Sequence, residues 1–122
     1  TYRLPTEAGW ENAGRGPGAA YRKYHWGDKV ELRQANFRLD FGMAGVPATV
    51  GSYPANAFGL HDMHSNVSEW CSDWYEDYPD AGDEVDPRGP PRGKLRASRG
   101  GSCQIMADAC RAASRSWPLP AL

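Results

Sequence analysis

The sequence predicts one small domain in which loops outweigh regular structure, with one short helix and a few short strands. The chain has 122 residues, 40% of them hydrophobic, which is enough for one folded domain with a core. Its 14 glycines and 10 prolines make up about a fifth of the chain, against an average near 12%. Signals for regular structure are confined to a helical stretch near the N-terminus and a few strand-like stretches further along.

The helix is predicted over residues 6–14. Thr6 follows a proline and can cap the helix N-terminus, and the negative charge of Glu7 suits the positive end of the helix dipole. Gly9 stands where a capping box would have Glu, and a glycine inside a helix costs about 1 kcal/mol relative to alanine. We therefore expect a short, weak helix that ends at the glycine-rich segment 14–18.

Strands are predicted where polar and apolar residues alternate. In residues 70–75, Trp70, Ser72 and Trp74 share one face of an extended chain. Residues 94–98 are predicted to return as a second strand. Two other segments are open between short strands and extended loops, namely 46–53 and 57–60.

Charge and hydropathy exclude several partners. Fourteen Lys and Arg residues against 15 Asp and Glu give a net charge of −1, which removes the electrostatic basis for binding nucleic acid or an anionic membrane. No apolar run approaches the roughly 18 residues of a membrane-spanning helix, and the N-terminus lacks a signal-peptide pattern. We expect a soluble domain whose cellular compartment the sequence does not specify.

Histidine and cysteine spacings give weak metal signals on their own. His61 and His64 lie three residues apart, but no cysteine or third histidine is near them in the sequence. The three cysteines, Cys71, Cys103 and Cys110, allow either one disulfide and a free thiol or three thiols. Ordinary structural roles are the favoured interpretation for all five residues.

Seven short motifs follow one another along residues 2–115. They are YRLPTEAGWE (2–11), YHWGD (24–28), ANF (35–37), NAFGLHDM (56–63), HSNVSEWCSDWY (64–75), DPRGPPRGK with RGGS (86–94 and 99–102) and CRAASR (110–115). In this order they resemble the RLPTEAEWE, YPWGN/D, AN-aromatic, NAFGLYDM, GNVWEWCSDWY, GP…G with RGGS, and CRSAxR motifs of the formylglycine-generating-enzyme (sulfatase-modifying factor) family.

The resemblance implies a C-type-lectin-like α+β fold with little regular secondary structure. Residues 1–122 would form a single, partial domain of this type, because the family's N-terminal strands, first helix and terminal strand have no counterpart here. Strands missing from a sheet leave unpaired edges, which favour oligomers. Within the motifs, Gly9, Ser65 and Ser68 replace the family's Glu, Gly and Trp.

The resemblance also implies calcium. The first site would use oxygen atoms of four residues, the side chains of Asp62 and Glu69 and the carbonyls of Ser65 and Val67. A second site would use Asn36, the carbonyl of Phe37 and Asp40. Carboxylate and carbonyl oxygens are the ligands that a hard cation prefers, but the two carboxylates of the first site could instead only cap or bridge backbone groups.

Enzymes of the family oxidise the cysteine of a sulfatase Cys-x-Pro-x-Arg segment to formylglycine, using molecular oxygen and copper(I). Two cysteines, three and eight residues after the serine of RGGS, hold the copper, and soft thiolates suit this ion. Here those positions are Ile105 and Cys110, while Cys103 directly follows Ser102. Cys103 and Cys110 are thus the candidate catalytic pair. The displaced ligand predicts a divergent or truncated member without appreciable formylglycine-generating activity.

Two further expectations come from the resemblance. Ligand-binding proteins diversified by retroelements keep this scaffold and vary the residues after RGGS, so residues 103–117 could form the binding surface of a lectin-like module. In addition, Cys71 and Cys110 fall in segments that often carry cysteines together, which implies that the two lie close in space with Cys103 left free.

Overall fold

The computed structural model describes residues 2–18, 21–38, 45–78 and 85–117. Its regular elements are, in chain order, helix α1 (Glu7–Arg15), strands β1 (Glu69–Trp74) and β2 (Arg96–Arg99), a 3₁₀ helix (Ala107–Cys110) and strand β3 (Arg115–Ser116). The predicted helix, both predicted strands and the α+β class are confirmed within one or two residues. Residues 46–53 and 57–60, which the sequence left open, form turns and loops.

Helix α1 begins and ends where the sequence places its capping signals. The side-chain oxygen of Thr6 accepts a hydrogen bond of 3.1 Å from the backbone N–H of Gly9. The helix ends at Gly16, whose φ of 85° lies in the left-handed region that favours glycine. Trp10 of this helix is buried, and the helix packs against strands β1 and β2 of the sheet.

The three strands form one antiparallel sheet in the order β1-β2-β3. Glu69 lies opposite Arg99 in the β1–β2 pair, and Arg99 lies opposite Arg115 in the β2–β3 pair. Strand β3 has two residues and was not predicted from the sequence. The backbone N–H of Ser72 in β1 donates to the carbonyl of Pro5, 2.8 Å away, so the N-terminal segment follows β1 on its other side. Association through unpaired edges stays a prediction.

Among the described residues, the core consists of two separate clusters of buried side chains. The first contains Tyr24, Ala35, Phe37, Ala107 and Cys110, with Trp26 and Ile105 packed against it. The second contains Trp10, Met63, Cys71 and Ala97, with Ala13 packed against it.

The three cysteines are all buried and free. The implied pairing of Cys71 with Cys110 is therefore wrong, and the core explains why. Cys71 points from β1 into the cluster beneath the helix, whereas Cys110 packs among the aromatic residues of the other cluster.

A network of buried charges joins the helix to the sheet. Glu7 accepts hydrogen bonds from the guanidinium groups of Arg99, at 3.1 Å, and Arg115, at 2.8 Å. Arg99 also donates to Glu11 and to the carbonyl of Ala112, both at 2.8 Å. The sequence suggested for Glu7 only a role at the helix dipole, because its partners lie far away along the chain.

The described ranges contain a single α-helix of nine residues, and none of their helices has the length and apolar character needed to cross a membrane.

Candidate functional site

A cleft of about 570 Å³ lies beside the Arg-Gly-Gly-Ser segment. It is lined by Gly100 and Gly101, by Ile105 and residues 108–109 of the 3₁₀ turn, and by residues 113–116 around β3. These residues fall largely within segment 103–117, where the sequence placed a candidate binding surface. We call this feature the cleft.

The two candidate catalytic cysteines do not line the cleft in the part of the chain that the structure describes. Cys103 and Cys110 are 2% and 0% exposed. The Cys110 sulfur lies 3.8 Å from the carbonyl oxygen of Ser102 and 3.7 Å from that of Met106. A Cβ placed on Gly101 would come within 2.6 Å of this sulfur, so the glycine backbone presses directly on the thiol.

The surroundings of Cys110 disfavour a thiolate. Burial raises the pKa of this thiol to about 12, and the nearby Cys103 contributes in the same direction. Ile105, at the position of the family's first copper ligand, packs its side chain toward Gly101 beside Cys110. An enclosed thiol with an isoleucine in place of the second sulfur does not fit a copper(I) site that needs two accessible sulfur ligands.

The loop formed by residues 62–69 has an unusual backbone. Asp62, Ser65 and Asn66 have φ values of 57°, 72° and 64°. Asp and Asn tolerate this left-handed region, but serine does so at a cost of about 1–3 kcal/mol. Ser65 is the residue that replaces the family's glycine, and it keeps the backbone conformation that glycine would adopt freely.

The loop carries the two carboxylates of the first implied calcium set. Asp62 accepts a hydrogen bond of 2.9 Å from the N–H of Gly51, and Glu69 accepts one of 2.7 Å from the indole of Trp10. Burial raises the pKa of Glu69, the hydrogen bond from Trp10 opposes that rise, and the negative charge of Asp62 adds to it. The Ser65 hydroxyl is fully buried and, among the described residues, has no hydrogen-bond partner. Each carboxylate thus has a hydrogen-bond partner, and for Asp62 it is a backbone group, as in the alternative to a calcium site, whereas the Ser65 hydroxyl has none among the described residues.

The second implied calcium set is only partly described. The side-chain amide of Asn36 donates to the carbonyl of Val46 at 2.9 Å and to the side-chain oxygen of Asn66 at 3.1 Å. The side chain of Phe37 is buried in the core. Asp40 lies outside the described residues. Within the described ranges, no group of three or more His, Cys, Asp or Glu side chains could hold a metal.

Comparison with known proteins shows to which family this chain belongs. The model of the FGE-sulfatase family, described as a Sulfatase-modifying factor enzyme 1-like domain, matches residues 1–121. The chain belongs to the FGE-sulfatase family. The resemblance stated from the motifs is confirmed.

Three relatives illustrate how this FGE-sulfatase chain compares with longer proteins. Serine/threonine-protein kinase pkn1 of Chlamydia pneumoniae is 43% identical over 116 residues, which cover 93% of this chain and 18% of that protein. Formylglycine-generating enzyme of Streptomyces coelicolor is 40% identical over 134 residues, covering 97% and 42%. The solved structure of Treponema denticola variable protein 1 superimposes with a TM-score of 0.80 at 36% identity, covering 97% and 42%. The chain thus spans less than half of each relative.

One residue of this FGE-sulfatase chain, His64, has the structural role that was favoured over a metal site, with partners that the sequence did not reveal. His64 is 2% exposed, and its Nε2 accepts a hydrogen bond of 3.0 Å from the backbone N–H of His25. Its Nδ1 lies 2.9 Å from the carbonyl oxygen of Cys110 and therefore carries the ring proton. Burial lowers the pKa of His64 to about 4, so the neutral ring ties three segments together. His61, by contrast, is exposed.

The loop 62–69 is bonded directly to the chain segment beside the cleft. The backbone N–H of Ser65 donates to the carbonyl of Gly100 at 2.6 Å, and the hydroxyl of Ser68 donates to that of Gly101 at 3.1 Å. The N–H of Cys103 donates to the carbonyl of Asn66 at 2.9 Å. Three hydrogen bonds thus connect the candidate calcium loop to the chain segment beside the cleft.

Proposed function

We propose that this chain is a divergent, ligand-binding member of the FGE-sulfatase family whose cleft holds a polypeptide segment without oxidising it. The supporting observation is the burial of both thiols, since Cys103 and Cys110 lie in the protein interior while Ile105 and residues 108–109 line the cleft. A cysteine-oxidising site needs its sulfur ligands open to the substrate. Here the surface beside the substrate is aliphatic and polar instead.

Two observations support a polypeptide as the ligand. The family description names a sulfatase-modifying factor and a relative is a formylglycine-generating enzyme, names that point to a protein as the substrate. The cleft has the size of a small-molecule or peptide pocket, and much of its lining is short side chains such as Ala109, Ala113 and Ser114. Short side chains leave room for a peptide backbone, and Arg111 and Asp108 offer charges for its polar groups.

The same surface supports the alternative of a lectin-like module with a diversified ligand. Segment 103–117 supplies most of the cleft lining, and one relative is named a variable protein. Both versions predict binding without oxidation, and they differ only in the ligand.

Calcium is the cofactor that this proposal includes. Its ligands would be the carboxylates of Asp62 and Glu69 with the carbonyls of Ser65 and Val67, and a second ion would use the Asn36 and Phe37 set with Asp40. When bound, the ion would supply positive charge between two carboxylates. The chain's own residues would then hold loop 62–69 in one conformation.

The binding experiment uses calorimetry with a synthetic peptide that contains Cys-x-Pro-x-Arg and a matched peptide with Ser in place of Cys. We expect both to bind with similar affinity, because the protein thiols do not take part. Ala113→Trp should abolish binding by filling the cleft, while Ala57→Trp, at an exposed site elsewhere, should not. If the peptides bind the two tryptophan variants equally well, the cleft is not their binding site. If the unaltered chain binds neither peptide, the proposal is contradicted for this ligand class.

A further inference from the structure

Two buried side chains hold the two ends of the 3₁₀ turn that forms one wall of the cleft. The hydroxyl of Tyr24 donates to the carbonyl of Ala107, the first residue of the turn, at 2.9 Å. The Nδ1–H of His64 donates to the carbonyl of Cys110, the last residue of the turn, at 2.9 Å. In the described part of the chain, neither Tyr24 nor His64 is among the residues that line the cleft, so both hold this wall from the core side.

The two side chains fix each other's orientation. They are 1% and 2% exposed, and their rings meet edge to face with 5.5 Å between the centroids. Trp26 packs on both rings, stacked on Tyr24 at 4.8 Å and edge to face with His64 at 5.3 Å. The Nε2 of His64 also accepts from the backbone N–H of His25 at 3.0 Å, which directs the Nδ1–H at Cys110. Packing and hydrogen bonds therefore hold both donors in place.

The residues between the two held carbonyls face the cleft. Asp108 and Ala109 line it, as does Arg111 directly after the turn. A 3₁₀ turn of four residues has few and poorly aligned internal hydrogen bonds, so its position depends on its contacts with the rest of the chain. The backbone N–H of Ala112 adds one more such contact by donating to the carbonyl of Lys23 at 2.7 Å. These contacts define where the turn presents its lining residues to the cleft.

We propose that Tyr24 and His64 are positioning residues for the cleft, which raise its affinity for a peptide by holding the carbonyls of Ala107 and Cys110. Neither side chain touches the ligand, and each acts through the backbone of the turn. The effect on affinity rests on the proposed function, whereas the effect on the turn rests only on the two hydrogen bonds. Because one hydrogen bond contributes a net factor of about 5 to an equilibrium constant, we expect loss of either bond to weaken binding about 5-fold.

The first test removes one oxygen atom. Tyr24→Phe deletes the hydroxyl and keeps the ring, and Tyr2→Phe is the matched control because Tyr2 is fully exposed. Affinity for the Cys-x-Pro-x-Arg peptide is measured by calorimetry at a temperature at which every variant is folded, so that lost stability alone does not alter it. We expect binding to weaken about 5-fold in Tyr24→Phe and to stay unchanged in Tyr2→Phe. Equal affinities of the two variants would overturn the proposal.

The second test separates the two hydrogen bonds of His64. The side-chain amide introduced by His64→Asn lies near the position of Nδ1 and can still donate to Cys110, whereas the one introduced by His64→Gln lies near Nε2 and can accept from His25. Both variants lose the ring and its packing, so a purely structural role would affect both alike. We expect His64→Asn to bind the peptide about 5-fold more tightly than His64→Gln. Equal affinities, or tighter binding by His64→Gln, would overturn the role of His64.

Hydrogen exchange tests the same positioning without a ligand. The amide of Ala109, bonded to the carbonyl of Met106 at 3.0 Å, reports on the turn, and the amide of Tyr75, bonded to the carbonyl of Leu95 at 2.7 Å, reports on the sheet. We expect Tyr24→Phe to speed exchange at Ala109 by a larger factor than at Tyr75. If the unaltered chain binds no peptide, the proposed function is contradicted, and this exchange decides the positioning. Equal factors at the two amides would overturn it.

Discussion

Glu7 and Arg99 form a buried ion pair, with 3.1 Å between the carboxylate Oε1 and the guanidinium Nε. The two residues are 5% and 2% exposed. The pair connects the first turn of α1 with the last residue of β2, directly before the glycines that line the cleft. Arg115 of β3 completes the arrangement by binding the same carboxylate.

Removing the charge of Glu7 should be strongly destabilising. Glu7→Gln leaves two guanidinium groups in the protein without this partner, and breaking a buried pair in this way costs about 3–5 kcal/mol. The measurement is chemical denaturation. The control is Glu31→Gln, which removes an exposed carboxylate. A loss of less than about 1 kcal/mol for Glu7→Gln would mean that the network adds little to stability.

Glu7 should also contribute to the loss of stability in acid. Burial alone would raise the pKa of Glu7, but the hydrogen bond from Arg115 and the charge of Arg99 outweigh it and lower this pKa. A carboxyl with a lowered pKa in the folded state contributes stability that is present above its unfolded pKa, near 4.5, and is lost as the pH falls through the folded pKa. Denaturation between neutral and acidic pH should show a shallower acid loss for Glu7→Gln. Parallel profiles for the variant and the unaltered chain would contradict this role.

Calcium should raise the melting temperature. An ion that binds only the folded chain stabilises it by about 2.7 kcal/mol at 100 times its dissociation constant. Asp62→Asn and Glu69→Gln should each remove the difference between melting in calcium and in chelator. Asp77→Asn, at an exposed carboxylate outside the loop, should retain it. Superimposed melting curves of the unaltered chain in calcium and chelator would show that the family's calcium ligands do not transfer to this loop.

The buried thiols should react slowly. Burial raises the pKa of Cys71 and of Cys110 to about 12, which leaves about one thiol in 10,000 as the reactive thiolate at pH 8. Alkylation followed by mass spectrometry should modify both residues in denaturant and neither one rapidly in the folded chain. Rapid modification of Cys110 without denaturant would show that its sulfur reaches the cleft.

The elements that could be predicted from the sequence are those defined by neighbours along the chain. Thr6 and the glycines after residue 13 mark the ends of α1, and alternation marks β1. The motifs fixed the family because their order is specific. Strand β3 escaped prediction because two residues carry too little local signal.

The site residues were harder to predict, because their roles depend on orientation. Spacing after RGGS places Cys103 and Cys110 near the family's copper positions, but it does not show that both thiols turn into the core. The expected pairing of Cys71 with Cys110 was wrong. Two motifs that often carry cysteines together do not show which core cluster each cysteine side chain enters. The partners of Glu7 lie 92 and 108 residues away and leave no local pattern.

Binding without oxidation can be tested by the mass of a Cys-x-Pro-x-Arg peptide after incubation with the full chain, copper(I), oxygen and a reductant. We expect the peptide to keep the mass of its thiol form, because the sulfur of Cys110 is enclosed and does not reach the cleft. A mass loss matching conversion of the cysteine side chain to an aldehyde, abolished by Cys110→Ser, would show that the chain oxidises its ligand and would identify Cys103 and Cys110 as a rebuilt copper pair.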